Sequence, residues 1–213
     1  MSRGNRLNQI SRTGIFLSAA YVIINLVIFM IDVFVFKSTG YTTIVRFAIN
    51  IIFYILICID FTKAKENPIY LHYAILVLII SNYVLPAIFE VINWVSHSIV
   101  EFNFSFFVLS AGTILGVLYF VFILLYNKKR KIVYNTALIV IGSLMLILGI
   151  VSIVTSVISL VNIVGNLFSN GISFDFKEIM TVVSLLLSYL IIIVEAGFCV
   201  VYFMYPIYNR KSY

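Results

Sequence analysis

Residues 127–165 read NKKRKIVYNTALIVIGSLMLILGIVSIVTSVISLVNIVG. Four consecutive cations, Lys128 to Lys131, are followed by a run from Ile132 to Gly165 with no charged residue. A helix crosses the ~30 Å hydrocarbon core of a bilayer in about 20 apolar residues, so this stretch can span one with residues to spare. Backbone groups in hydrocarbon find no water, and a continuous helix satisfies them within the segment. The cations then mark the end that stays in water.

Working outward, five more stretches have the same character. The expected spans cover about residues 14–36, 42–61, 69–95, 104–126, 134–165 and 179–207. The whole chain is 63% hydrophobic and 10% charged, far from the roughly 25% charged residues of soluble domains. The alternation of a membrane barrel is absent from these runs. The sequence predicts an all-α, polytopic bundle of six transmembrane helices forming one membrane domain over residues 1–213. The longest loop, Asn166 to Glu178, is too short for a separate domain.

The cations orient the chain. Arg3, Arg6 and Arg12 precede the first span, Lys63 and Lys65 follow the second, Lys128 to Lys131 follow the fourth, and Arg210 and Lys211 follow the sixth. These are eleven of the fourteen Lys and Arg residues, and all fall on one side. Lys37 and Lys177 lie on the other side, and Arg46 lies inside a span. By the positive-inside rule both termini are expected in the cytoplasm, the membrane is expected to be the plasma membrane, and the basic loops face an anionic leaflet. The first span, interrupted by Asp32, is longer than the apolar region of a cleaved signal peptide. Cys58 and Cys199 both fall within spans and offer neither a disulfide framework nor metal-ligand spacing.

Several chemistries lack their motifs. No Gly-rich phosphate loop, H-E-x-x-H zinc site or G-x-S-x-G nucleophile turn occurs. No enzyme activity, cofactor or metal is expected, although an intramembrane enzyme is not excluded by motif alone. The cations suit lipid headgroups rather than nucleic acid.

The informative residues are polar ones inside spans, which are costly in lipid and functional by default. Asp32 lies near the outer end of the first span on a stripe with Ser18 and Asn25, and Tyr21 lies between. Arg46 heads a stripe of the second span with Thr43, Asn50 and Tyr54. Matched depths make Asp32 and Arg46 an expected ion pair, with Glu90 the alternative partner. In the third span Asn82, Pro86, Glu90, Asn93 and His97 share a face, and Pro86 removes a hydrogen bond to the Asn82 carbonyl, predicting a kink. His72 reads as an interfacial residue. Glu195 sits near the middle of the sixth span on a stripe with Thr181, Ser184 and Ser188. The fifth span offers a seam of small residues opposite, Gly142, Gly149 and Ser156 flanked by Ser152 and Ser159. Glu195 either handles protons or cations or cements that seam. Gly112 and Gly116 form a close-packing motif that serves either intramolecular packing or a partner or homo-oligomer contact. The third and fourth spans resemble the fifth and sixth in their aromatic and basic ends, a weak internal repeat. Asp175 and Glu178 fit a capping box opening the sixth span, and Asn103-Phe104-Ser105 matches a glycosylation acceptor that carries little weight by itself.

The expected function is a small transport or permeation protein, or a membrane-embedded transporter subunit. Its polar pathway would run among spans one, two, three and six, with Glu195, Asp32, Arg46, Asn50, Asn82, Glu90 and Asn25 as contacts. The alternative is a non-transporting membrane subunit for assembly, sensing or immunity. The two differ in whether the polar stripes meet at a cavity or at tight helix contacts.

Overall fold

The computed structural model describes residues 3–37, 41–67, 69–97, 104–129, 131–169 and 175–209. Asn103, the Ser105 side chain, and the side chains of Thr43, Asn93 and His97 lie outside the described residues, as do Arg130, Arg210 and Lys211.

Seven α-helices make six spans: α1 (Arg3–Phe34), α2 (Tyr41–Lys63), α3 (Ile69–Ile79) joined to α4 (Leu85–His97) by a π-helical turn at Ile80–Val84, α5 (Phe104–Lys129), α6 (Ile132–Ser169) and α7 (Phe176–Asn209). Six of these elements, with α3 to α4 counted as one, are long and apolar enough to cross a membrane. The spans are those expected, but their ends run further. α1 is helical back to Arg3, and α6 and α7 extend into the stretch read as the loop 166–178. Asp175 immediately precedes α7, and its carbonyl accepts the Glu178 N–H at 3.0 Å. The buried Glu178 Oε2 has no hydrogen-bond partner.

Consecutive spans pack as hairpins, and α1 also packs on α7, so the bundle closes into a ring in the order α1, α2, α3–α4, α5, α6, α7. Large apolar side chains such as Ile55, Leu56, Ile59 and Leu124 are exposed on the outside, as lipid contact requires. Lipid tails are as apolar as leucine, so close packing and interhelical bonds hold such a ring together. Glycines set the close approaches. A Cβ on Gly142 would lie 3.1 Å from the Tyr202 carbonyl oxygen, and one on Gly149 would lie 2.9 Å from Cys199 Sγ. The small seam of α6 therefore seats α7 as its spacing predicted. Gly112 and Gly116 face inward: the Tyr83 ring fills the space beside Gly112 and the Ile79 side chain that beside Gly116. This motif is spent on packing α5 against the third span.

Burial is uneven along the membrane normal. Toward the end that carries the basic loops, Ile10, Ile57, Phe61, Leu71, Ile75, Leu78, Tyr119, Ile123, Leu138 and Tyr202 interlock, all 2% exposed or less. In the opposite half Ile31 is the buried hydrophobic side chain among the described residues, and no described side chain of α4 is buried. The helices are tightly packed at one end and loosely at the other.

The break in the third span lies at this boundary. The Leu85 N–H bonds back five residues to the Ile80 carbonyl, and Pro86 follows without an N–H to donate. The expected kink takes the form of a π-turn, a feature common at functional sites. The equivalent fifth span, α6, runs 38 residues with no such break, a departure from the internal repeat. α7 also contains a proline, Pro206. Its missing N–H strands the Tyr202 carbonyl, and the Tyr119 hydroxyl of α5 donates to that oxygen at 2.5 Å.

Candidate functional site

The hydroxyl-bearing residues divide into two groups. Ser18, Thr113, Ser143, Thr155, Thr181 and Ser188 each return their hydroxyl to a carbonyl of their own helix. That local bond satisfies the side chain and links no helices. The Thr181 and Ser188 hydroxyls on the stripe of Glu195 are therefore occupied locally.

The second group crosses helices at mid-depth. Tyr21 of α1 and Tyr54 of α2 stack face to face, with ring centroids 3.4 Å apart and 8° between planes. The Tyr54 hydroxyl donates to the carboxamide oxygen of Asn82 in the π-turn. The Glu195 carboxyl of α7 lies close enough to Tyr21 to interact with it electrostatically. Four spans thus meet through Glu195, Tyr21, Tyr54 and Asn82. The ring closure of α1 on α7 brings residues distant in the chain together here, and the stripes supply the register: Tyr54 lies two turns along α2 from Arg46, and Tyr21 lies one turn from both Ser18 and Asn25.

Beside this junction is a cavity of about 90 Å³. Its polar wall is Asn82, Tyr83, Ser152, Glu195 and Cys199, and its remaining wall is aliphatic, including Leu148 and Ile192. The cavity opens between the π-turn, α5, α6 and α7. Cys199 is a free thiol, and its Sγ lies 3.6 Å from the Tyr83 hydroxyl. Glu195, half-buried, belongs both to the junction and to the cavity.

The residues expected on the pathway separate accordingly. Glu195 and Asn82 come together. Asn25 is adjacent, its amide nitrogen donating to the Tyr21 carbonyl at 3.0 Å, and Asn50 lies on α2 between Arg46 and Tyr54. Arg46 departs from expectation. Among the described residues it forms no ion pair with Asp32 or Glu90. Its guanidinium instead lies 5.5 Å from the centre of the Phe89 ring, and its charge is near enough to act on Glu195 and Tyr21. Asp32 and Glu90 are half-buried. Tyr83 and Cys199 were not singled out in the sequence. Cys199 lies one turn beyond Glu195, so helical spacing marks it, whereas Tyr83 directly follows Asn82 and no spacing signal marks it.

The basic end carries its own cluster. The Tyr205 hydroxyl sits 2.5 Å from Nε2 of His72, and the Asn127 amide nitrogen sits 3.3 Å from the same atom. His72 is thus tied to α7 and α5, more than the interfacial residue its position predicted. Among the described residues no three His, Cys, Asp or Glu side chains gather as metal ligands.

No protein-family model, curated protein or solved structure matches this chain.

Proposed function

We propose that this chain is a small transport or permeation protein of the plasma membrane, in which Glu195 is the charge-handling group of a polar pathway. The observation that carries the reading is the meeting of polar side chains from four spans at a mid-depth carboxyl that also walls a cavity. A carboxyl used only as cement would be enclosed by bonds to α6, whereas Glu195 has Tyr21 on one side and open volume on the other. The uneven packing adds a direction. The basic end, assigned to the cytoplasm by its cations, is plugged by core side chains, and the loosely packed half gives access from the opposite side.

The test is ion flux in proteoliposomes that hold the purified chain. Glu195→Gln keeps the shape and hydrogen bonding of the side chain and removes its charge. The expected result is proton or cation flux in the wild type, its loss in Glu195→Gln, and an unchanged melting temperature. Wild-type flux in a well-folded Gln variant would overturn the assignment.

A second reading, a non-transporting membrane subunit, has one observation in its favour. α6 is 38 residues long against 26 for α5, a difference of about 18 Å of helix. Near its far end Val157, Ile158 and Val161 are all exposed, Val161 at 63%. A subunit that docks through this end would give proteoliposomes with no flux of any ion.

A further inference from the structure

The cavity beside Glu195 has a charge and a wall chemistry, and together they narrow what it can hold. Among the described residues Glu195 is the only carboxylate in the wall, and no Lys, Arg or His lines it. An ionised Glu195 there selects a cation and repels an anion. Its single charge matches a monovalent ion. Divalent calcium draws on six to eight oxygen ligands, and the described residues hold no cluster of that kind.

Wall chemistry decides among monovalent cations. A metal ion that keeps its full shell of waters makes no use of an aliphatic wall. A stripped metal ion would need the wall to replace that shell. The wall offers Glu195, the Ser152 hydroxyl, the Tyr83 hydroxyl and an Asn82 oxygen already engaged by Tyr54, with aliphatic carbon for the rest. Methyl groups solvate no metal ion.

An organic monocation has the opposite requirements. Its N–H groups need one carboxylate and one or two acceptors, and its carbons need apolar wall. Leu148 and Ile192 supply the second. We propose that this cavity binds a small organic monocation, an alkylammonium or guanidinium group without its water, and that this is the solute class of the pathway. The inference rests on the transport reading above.

Equilibrium binding of radiolabelled methylammonium and guanidinium to the full chain in lipid nanodiscs tests it, with sodium and potassium as competitors. Saturable binding is expected, weakened at least tenfold in Glu195→Gln and lost in Ser152→Leu, which fills the cavity. Sodium and potassium should compete at least tenfold more weakly than the organic ions. A second readout avoids altering the site. In a Cys58→Ser background, methylammonium should slow the labelling of Cys199 by a small thiol reagent. Absence of saturable binding, indifference to both substitutions, or sodium competing as well as methylammonium would each overturn the proposal. Glu195-dependent proton flux without organic-cation binding would sink this ligand class and leave the transport reading standing. Absence of both would sink the two together.

Discussion

Tyr119→Phe should destabilise the protein through a carbonyl 83 residues away in the chain. Pro206 has no N–H, so the Tyr202 carbonyl one turn earlier loses its helical donor. The Tyr119 hydroxyl supplies the replacement at 2.5 Å, and both tyrosines are 0% exposed. Removing one hydroxyl leaves a buried carbonyl with neither protein nor water to bond. A buried unsatisfied group costs about 1–3 kcal/mol, and no cavity of consequence is added. The expected loss is therefore about 2 kcal/mol.

The origin of that loss can be isolated. Pro206→Ala restores an N–H that can reach the Tyr202 carbonyl from within α7. In that background Tyr119→Phe should cost less than about 0.5 kcal/mol, because the carbonyl keeps a donor. The coupling, about 1–2 kcal/mol, stands above the 0.3–0.5 kcal/mol scatter of independent sites. Equilibrium unfolding in mixed micelles, followed by circular dichroism on all four chains of the cycle, measures it. Equal costs in both backgrounds would refute the reasoning, since the hydroxyl would then act by some means other than capping the carbonyl freed by proline.

Two further outcomes are expected. Gly142→Ala should cost about 1–3 kcal/mol by overpacking, because its Cβ meets backbone atoms of Tyr202 and Phe203 at 3.1–3.3 Å; Gly165→Ala, with nothing within 4 Å, should be neutral or stabilising, and the reverse order in the same assay would contradict the α6–α7 seam. Reporter fusions after Lys65 and Lys131 should give a cytoplasmic signal and fusions after Gly40 and Gly171 an external one, with reversal at either pair overturning the orientation.

The spans were legible in the sequence because a bilayer imposes a length and composition that each segment meets alone. Glu195 was legible for a related reason, since a charge at the middle of an apolar run stands out without knowledge of its neighbours. What surrounds Glu195 was not. Its neighbour Tyr21 lies on the first span, and only closure of the ring brings α1 against α7. The expected Asp32–Arg46 pair shows the limit of depth as a guide. Matched depth leaves rotation about each helix axis open, and that rotation turns Arg46 toward Phe89. Gly112 and Gly116 were ambiguous because the motif gives a smooth surface and says nothing of what covers it. Pro86 predicted a break but not its form. A proline removes one bond, while the extra residue of a π-turn depends on how α3 and α4 are held by different neighbours.

That difference in neighbours bears on how Glu195 is reached. The π-turn joins α3, whose Leu71, Ala74, Ile75, Leu78 and Ile79 are buried, to α4, which buries no described side chain. The contacts of α4 include aromatic ones, with Trp94 against Phe106 at 4.3 Å between ring centroids and Phe89 beneath Arg46. Contacts of these kinds contribute about 0.5–1.5 kcal/mol each. Separating the helices at the basic end would instead break the contacts of many fully buried side chains, and truncating even one such side chain costs about 2–5 kcal/mol. It would also expose the Tyr202 carbonyl and the His72–Tyr205 contact. Movement at the loosely packed end, pivoting at the π-turn, is therefore the less costly of the two. Asn82 belongs to that turn and also accepts the Tyr54 hydroxyl, so the turn and the polar junction beside Glu195 share a hydrogen bond.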